Sequence, residues 1–341
     1  MEQITFLIGN GFDINVGLKT RYKDFYKYYV KNNPNDMLAK SIGKDCGYWS
    51  DLEEALGMYT ARVSKKETDE FWESEEHLET SLADYLELQM ERIYVSDENR
   101  ERIVNKMRQA LMNFYEELPK EQKQFLQERI QAMKHSVQYS FISFNYTDAF
   151  DRCVEWTREQ FKDGLGVHHC GGFSYRHLIG NVLHIHGTTN EDMILGVNDV
   201  TQIGNKDFAD DLSYRQWLIK EESNKRLAQN KVQEMRDIID KSKIICVFGL
   251  SLGTTDKMWW NYLCMWLYKD EAHRLVLFAR RKDTAGRMTR MRLFLEQDSF
   301  LERFKRNADM QNAKEDVWEQ IKERIFIKFD SELFDFKMVE D

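Results

Sequence analysis

The chain has 341 residues, of which 42% are hydrophobic and 13% aromatic, so it can bury a large core. Its formal net charge of −9 speaks against broad electrostatic capture of nucleic acid or of an anionic membrane, since either needs a basic face. No stretch approaches the ~18 to 20 apolar residues of a membrane span, no charged leader precedes the first strand, and five cysteines without C-x-x-C spacing fit reduced thiols in a cytoplasmic protein.

Residues 3–8 form a short apolar run with β-branched members, ended at once by Gly9-Asn10-Gly11. This predicts a buried parallel strand feeding a tight loop. A long helical block follows, predicted as an insertion over 46–136. Trp49, Leu52 and Leu56 set one face, Leu78, Leu82, Tyr85, Leu86 and Ile93 continue it, and Ile103, Met107, Leu111, Phe114 and Leu118 repeat at three- and four-residue steps. Pro119, one of two prolines, suits the first turn of a helix carrying Phe125, Leu126, Ile130 and Met133. Such stripes are core-facing surfaces. Further strands are predicted at 139–144, 182–186, 244–248 and 275–279, and a second helical insertion over 200–242. Helical crossovers between strands imply one elaborated α/β domain over 1–341, a parallel sheet flanked by helices, with two insertions able to cover a pocket as a lid.

In an open parallel sheet, ligands bind outside the carboxyl ends of the strands. Small and polar residues gather there: Gly9-Asn10-Gly11-Phe12-Asp13, then Gly17 and Thr20; Asn145-Tyr146-Thr147-Asp148; His186-Gly187-Thr188; and Gly249-Leu250-Ser251 through Asp256. The third glycine of the dinucleotide fingerprint would fall at Ile14 and is absent, which disfavours a plain Rossmann dehydrogenase. Taken alone, Gly9-Asn10-Gly11 is equally a strand-to-helix turn with no ligand.

Ile8-Gly9-Asn10-Gly11-Phe12-Asp13, followed by Gly17-Leu18-Lys19-Thr20, Tyr22 and Asp24-Phe25, resembles the opening signature of the AbiH family of bacteriophage abortive infection proteins. Trp49-Ser50-Asp51-Leu52-Glu53, Ser143 to Asp148, His184-Ile185-His186-Gly187, and Phe248 to Leu252 with Asp256 resemble its later blocks. The same landmarks are similar, more remotely, to those of sirtuin-like NAD-binding proteins. That likeness implies a Rossmann-like (sirtuin-like) sheet, with Asn145 at the reactive-site asparagine and His186 at the catalytic histidine. Asp13 replaces that group's serine, Thr147 its acid with Asp148 one place later, and the zinc ribbon is missing, so a deacylase is disfavoured while NAD cleavage stays open.

The resemblance implies a phage-defence effector that binds NAD or a related nucleotide and hydrolyses it at the N-glycosidic bond. Asn145, His186 and Asp148 would be catalytic; Gly9, Asn10, Gly11, Asp13, Gly17, Thr20, Gly249, Ser251 and Asp256 would bind the nucleotide. Asparagine can hold a water and a ribose hydroxyl, and histidine can take a proton. Each has another reading. Asn145 is also a turn former, His186 a satisfied core histidine, Asp13 a helix cap, Asp256 an ordinary first-turn residue, and Glu53 a surface residue. No cofactor is required beyond the nucleotide. Expected partners are that ligand, a phage-derived trigger and further copies of the chain, with neither nucleic acid nor membrane.

His168, His169, Cys170, His177, His184 and His186 lie close in sequence but match no standard zinc spacing, and no metal site is expected. His184 and His186 share one strand face, as two ligands would, or as one buried and one functional ring. Arg280, Arg281, Lys282, Arg287, Arg290 and Arg292 form a basic run that suits a solvated face or a phosphate contact. Two other functions remain open: a nucleotide-sensing protein without turnover, and a nucleic-acid-cleaving toxin.

Overall fold

The computed structural model describes residues 1–281 and 289–339. Among them, one sheet holds β1 (Glu2–Ile8), β2 (Val137–Ser143), β3 (Gly166–Cys170), β4 (Phe173–His184), β5 (Ser242–Phe248), β6 (Arg274–Ala279) and β7 (Ile325–Phe329). They lie in the order β3-β4-β2-β1-β5-β6-β7. Six run parallel, while β3 pairs antiparallel with β4. The sheet is therefore mixed, which corrects the expectation of a wholly parallel one. Cys170 faces Phe173 across Gly171 and Gly172, both at positive φ (57° and 82°). Two such residues make a tight hairpin turn, which can only join antiparallel strands.

The apolar run of β1 is buried on both sides because helices cover both faces. Ile4, Phe6 and Ile8 enter one core with Phe141, Phe114 and Phe334, whereas Leu7 enters the other with Ile142, Val247, Trp260 and Leu277. Thr5, buried between them, is satisfied by the Ser242 hydroxyl at 2.7 Å.

Residues 46–136 divide between two cores. The helices Asp97–Met112 and Lys120–Gln131 lie on the sheet through Ile103, Met107, Leu111, Leu126 and Ile130. Leu52–Tyr59 and Thr68–Met90 instead join Tyr22–Asn32 in a third core, to which Leu195, Val197, Phe208 and Leu218 also contribute. Trp72 packs against Tyr214 and Trp217 at ring-centre distances of 5.4 and 4.9 Å. Parts of both predicted insertions thus build one helical lobe. No described helix is long and apolar enough to cross a membrane.

Candidate functional site

A cavity of about 710 Å³ opens where β2, β1, β5 and β6 end and the helical lobe leans over them. Asn10, Gly11, Asp13, Thr20, Asn145, His186, Gly249, Ser251 and Asp256 line it. Sequence positions more than two hundred residues apart therefore meet. Gly9, Gly17 and Asp148 are not among its walls. The Gly9 and Gly11 amides donate to the carbonyls of Phe248 and Gly249 at 2.9 and 2.8 Å, joining the β1 loop to the β5 loop. A Cβ on Gly11 would come within 2.4 Å of the Gly249 Cα, so this backbone contact admits no side chain. Gly17, at φ 106°, ends the short helix Gly11–Asn15. Asp148 points its carboxylate at Arg152 (3.2 Å), with nearly half of its side chain exposed.

The β1 and β2 loops make one wall. Asp13, on the helix Gly11–Asn15, accepts from Asn145 Nδ2 at 2.9 Å and from Thr147 Oγ1 at 2.6 Å. Burial raises its pKa to about 7, against the opposing effect of the Thr147 and Asn145 bonds. Because Nδ2 is committed to Asp13, the amide orientation of Asn145 is fixed, and its Oδ1 is left buried with no partner. The Asn145 backbone is braced by His184, whose Nδ1 meets the Asn145 carbonyl and whose Nε2 meets Asp151 Oδ2, both at 2.9 Å. Both partners accept, so both ring nitrogens carry protons. Burial alone would lower the His184 pKa, but the Asp151 carboxylate outweighs it and raises it. Thr20 closes this wall by donating its hydroxyl to Asn10 Oδ1, while Asn10 Nδ2 donates to the Thr20 carbonyl at 2.8 Å.

The opposite wall holds buried charge. His186 follows β4, and its carbonyl accepts from Ile194 as the chain doubles back through Gly187. A Cβ there would lie 2.0 Å from the Asp192 carbonyl oxygen, and φ is 75°, so glycine is required. His186 Nε2 meets Asp256 Oδ1 at 2.9 Å; Lys220 Nζ reaches the same oxygen at 3.2 Å and Glu53 Oε2 at 2.7 Å. Tyr146 donates to Glu53 Oε1 at 2.9 Å. Lys220 is placed by the bridge of Val197 to Ile219 and by its own amide donating to Val197.

These neighbours decide protonation. Burial by itself would raise Asp256, but the Lys220 ammonium and then His186 override it and hold the carboxyl well below the usual range. An ionised Asp256 accepts only, so the His186 proton sits on Nε2. Burial, followed by the Lys220 charge, lowers the His186 pKa, keeping the ring neutral near pH 7. Its Nδ1 is then a free lone pair, buried and without a partner. Burial also raises Glu53 to about 7 against the pull of Lys220.

Sequence reasoning missed Lys220, which lies in an ordinary-looking charged helix, and took Glu53 as a surface position. Glu53 is in fact buried with Lys220 and Tyr146. Its place beside Trp49 in an AbiH-like block was the one available signal. Asp256 occupies a helix start, as expected, yet spends its side chain on His186 and Lys220. His168 and His177 belong elsewhere, bonded to each other at 3.0 Å, with Tyr139 closing the chain at 2.8 Å. Among the described residues no three His, Cys, Asp or Glu side chains are grouped so as to hold a metal ion. Of the basic run, Lys282 and Arg287 lie outside the described residues, and Arg281 is tied to Asp330.

Fold and site together define an α/β protein with a polar cleft at the carboxyl ends of a mostly parallel sheet, containing a neutral histidine oriented by a largely buried carboxylate. The chain belongs to the AbiH family: the family model for bacteriophage abortive infection AbiH matches residues 5–278. That match supports a role in abortive-infection defence against phage and carries no relation to sirtuin-like proteins. No curated protein matches the chain.

Proposed function

We propose that this AbiH protein binds NAD or a related nucleotide in the strand-end cavity and hydrolyses its N-glycosidic bond, depleting it in the infected cell. The carrying observation is the pair of unpartnered buried acceptors, His186 Nδ1 and Asn145 Oδ1, on two residues that line one cavity. An unpaired buried polar atom costs about 1–3 kcal/mol, and a bound water or hydroxyl would remove that cost at both.

Support also comes from topology. Numbered in chain order, the six parallel strands lie 3-2-1-4-5-6, the arrangement of Rossmann-like sheets, whose ligand crosses the switch point between the first and fourth. Here that point is β1 beside β5, where Gly11 and Gly249 line the cavity. In the reaction, His186 Nδ1 takes a proton from water as its oxygen bonds to C1′ of the nicotinamide ribose. The C1′–N bond breaks, and its electron pair neutralises the ring nitrogen. Nicotinamide and ADP-ribose leave, and His186 releases its proton to solvent. Asn145 Oδ1 orients the water or a ribose hydroxyl, and Asp13 holds Asn145 in place.

The test follows NAD and free nicotinamide in phage-infected cells that express the chain, so that any trigger is present. NAD should fall with the native protein and persist with His186→Ala or Asn145→Ala, each of which is expected to slow release by about 10²–10⁴-fold. Unchanged NAD in infected cells that are nonetheless protected, or depletion that survives both substitutions, would overturn the reaction. The first outcome would leave a nucleotide-sensing protein.

A further inference from the structure

The two ends of the cavity differ in charge. Where His186 and Asn145 lie, the walls carry Asp13, Glu53 and Asp256 against the single cation Lys220; where β6 finishes, they are Phe278, Ala279, Arg280, Phe300, Arg303 and Ser331, with no carboxylate among the described residues. Two neighbouring cations are occupied: Arg281 is paired with Asp330, and Lys305 lies over the Trp318 ring at 5.1 Å. Arg280 and Arg303 differ from both. Arg280, exposed, makes one long bond to Asn15 Oδ1 at 3.4 Å. Arg303, partly buried, leans over Phe300 at 5.1 Å and leaves Nε buried without a partner. Among the described residues, neither forms an ion pair. Burial and then the nearby Arg306 lower the Arg303 pKa, the effect of a cation lacking its anion.

Phe300 packs on Phe329 at 6.0 Å, and Phe329 is the strand partner of Ala279, so the helix that carries Arg303 reaches the end of β6 from which Arg280 follows. We propose that Arg280 and Arg303 form an anion subsite for a phosphate group, and that the cavity therefore takes a phosphate-bridged dinucleotide rather than a nucleoside. Length agrees. From β4 to β6 there are four strand spacings, roughly 19 Å in all, which suits an extended dinucleotide and exceeds a nucleoside. A planar guanidinium fork matches phosphate oxygens in a bidentate manner. Both arginines follow residue 278, where the family match stops. The word nucleotide rests on the function proposed above; the subsite rests on the two arginines alone.

Calorimetry on the full chain with inorganic pyrophosphate, ADP-ribose and nicotinamide riboside separates these claims. Arg303→Gln and Arg280→Gln should each weaken ADP-ribose and pyrophosphate at least tenfold while riboside binding stays within twofold, and raised salt should weaken the phosphate probes more in the native chain than in either variant. ADP-ribose affinity within twofold of native in both variants, or no phosphate probe bound by the native chain, overturns the subsite. Should Arg303→Gln fail to fold, the exposed Arg280→Gln decides. Pyrophosphate binding that needs both arginines, in a chain that leaves NAD intact in protected phage-infected cells, defeats the hydrolysis reading and keeps the subsite.

Discussion

Two groups of polar residues line the cavity and reach it by different routes. Asn10, Asp13, Asn145 and His186 come from loops at the ends of neighbouring parallel strands, so the sheet brings them together and short local bonds finish the task. Glu53 and Lys220 come from separate helices, 167 positions apart, and meet only because the helical lobe packs as it does. The difference teaches that a sheet supplies a row of polar residues to one edge at little cost, whereas a buried ion pair from a lobe is kept by tertiary packing and carries a desolvation penalty.

Removing the lobe's cation is the strongest way to break that contrast. Lys220→Met leaves Glu53 and Asp256 buried beside one another without their shared partner, and is expected to destabilise the fold by about 3–5 kcal/mol. Denaturant unfolding measures it. Adding Glu53→Gln should restore more than half of the loss, because the remaining carboxylate still has His186. The same substitution lifts the Lys220 charge from His186 and so raises its pKa, which moves the acid limb of nicotinamide release to higher pH. A stable Lys220→Met protein would mean that the lobe does not depend on its ion pair.

On the strand-end side the contrast is sharpened by pH. The Asp13 pKa, raised by burial from 3.8 to about 7, means that the folded chain binds this proton more tightly than the unfolded one. The associated stability is full below about pH 4 and is lost as pH rises through about 7, on the order of 4 kcal/mol. Asp13→Asn has no proton to lose. Its unfolding free energy should fall less than that of the native chain between pH 5 and pH 8, and parallel curves for the two proteins would refute the assignment.

Legibility followed the same divide. The central strands were readable because β1, β2, β5 and β6 are apolar runs buried on both faces, and their polar ends could be read in turn. Asn145 and His186 stood out by position. β3 was not readable: His168-His169-Cys170 suggests ligands sooner than a strand, and only the glycine pair behind it marks the hairpin. The strand Ile325–Phe329 has a clear pattern but no polar end in the site to draw attention to it. Lys220 was invisible because nothing in a charged helix says which lysine turns inward. That choice is made by Val197, Glu53 and Asp256, which belong to three other segments.

The smallest expected effect concerns Asp148, the acid that the sirtuin-like resemblance implies as catalytic. It stands at the start of the helix Ala149–Gln160, outside the cavity wall, and its carboxylate faces Arg152 one helical turn on. An exposed pair of this kind contributes about 0.3–0.5 kcal/mol. Asp148→Asn should therefore shift stability by no more than that and leave nicotinamide release within twofold, while Asp13→Asn, which disturbs the hold on Asn145, reduces release strongly. A large loss of release in Asp148→Asn with unchanged melting temperature would show that the β2 loop rearranges when ligand binds and brings this carboxylate to the reacting sugar. The acid of the strand-end wall would then be Asp148, and Asp13 would be its support.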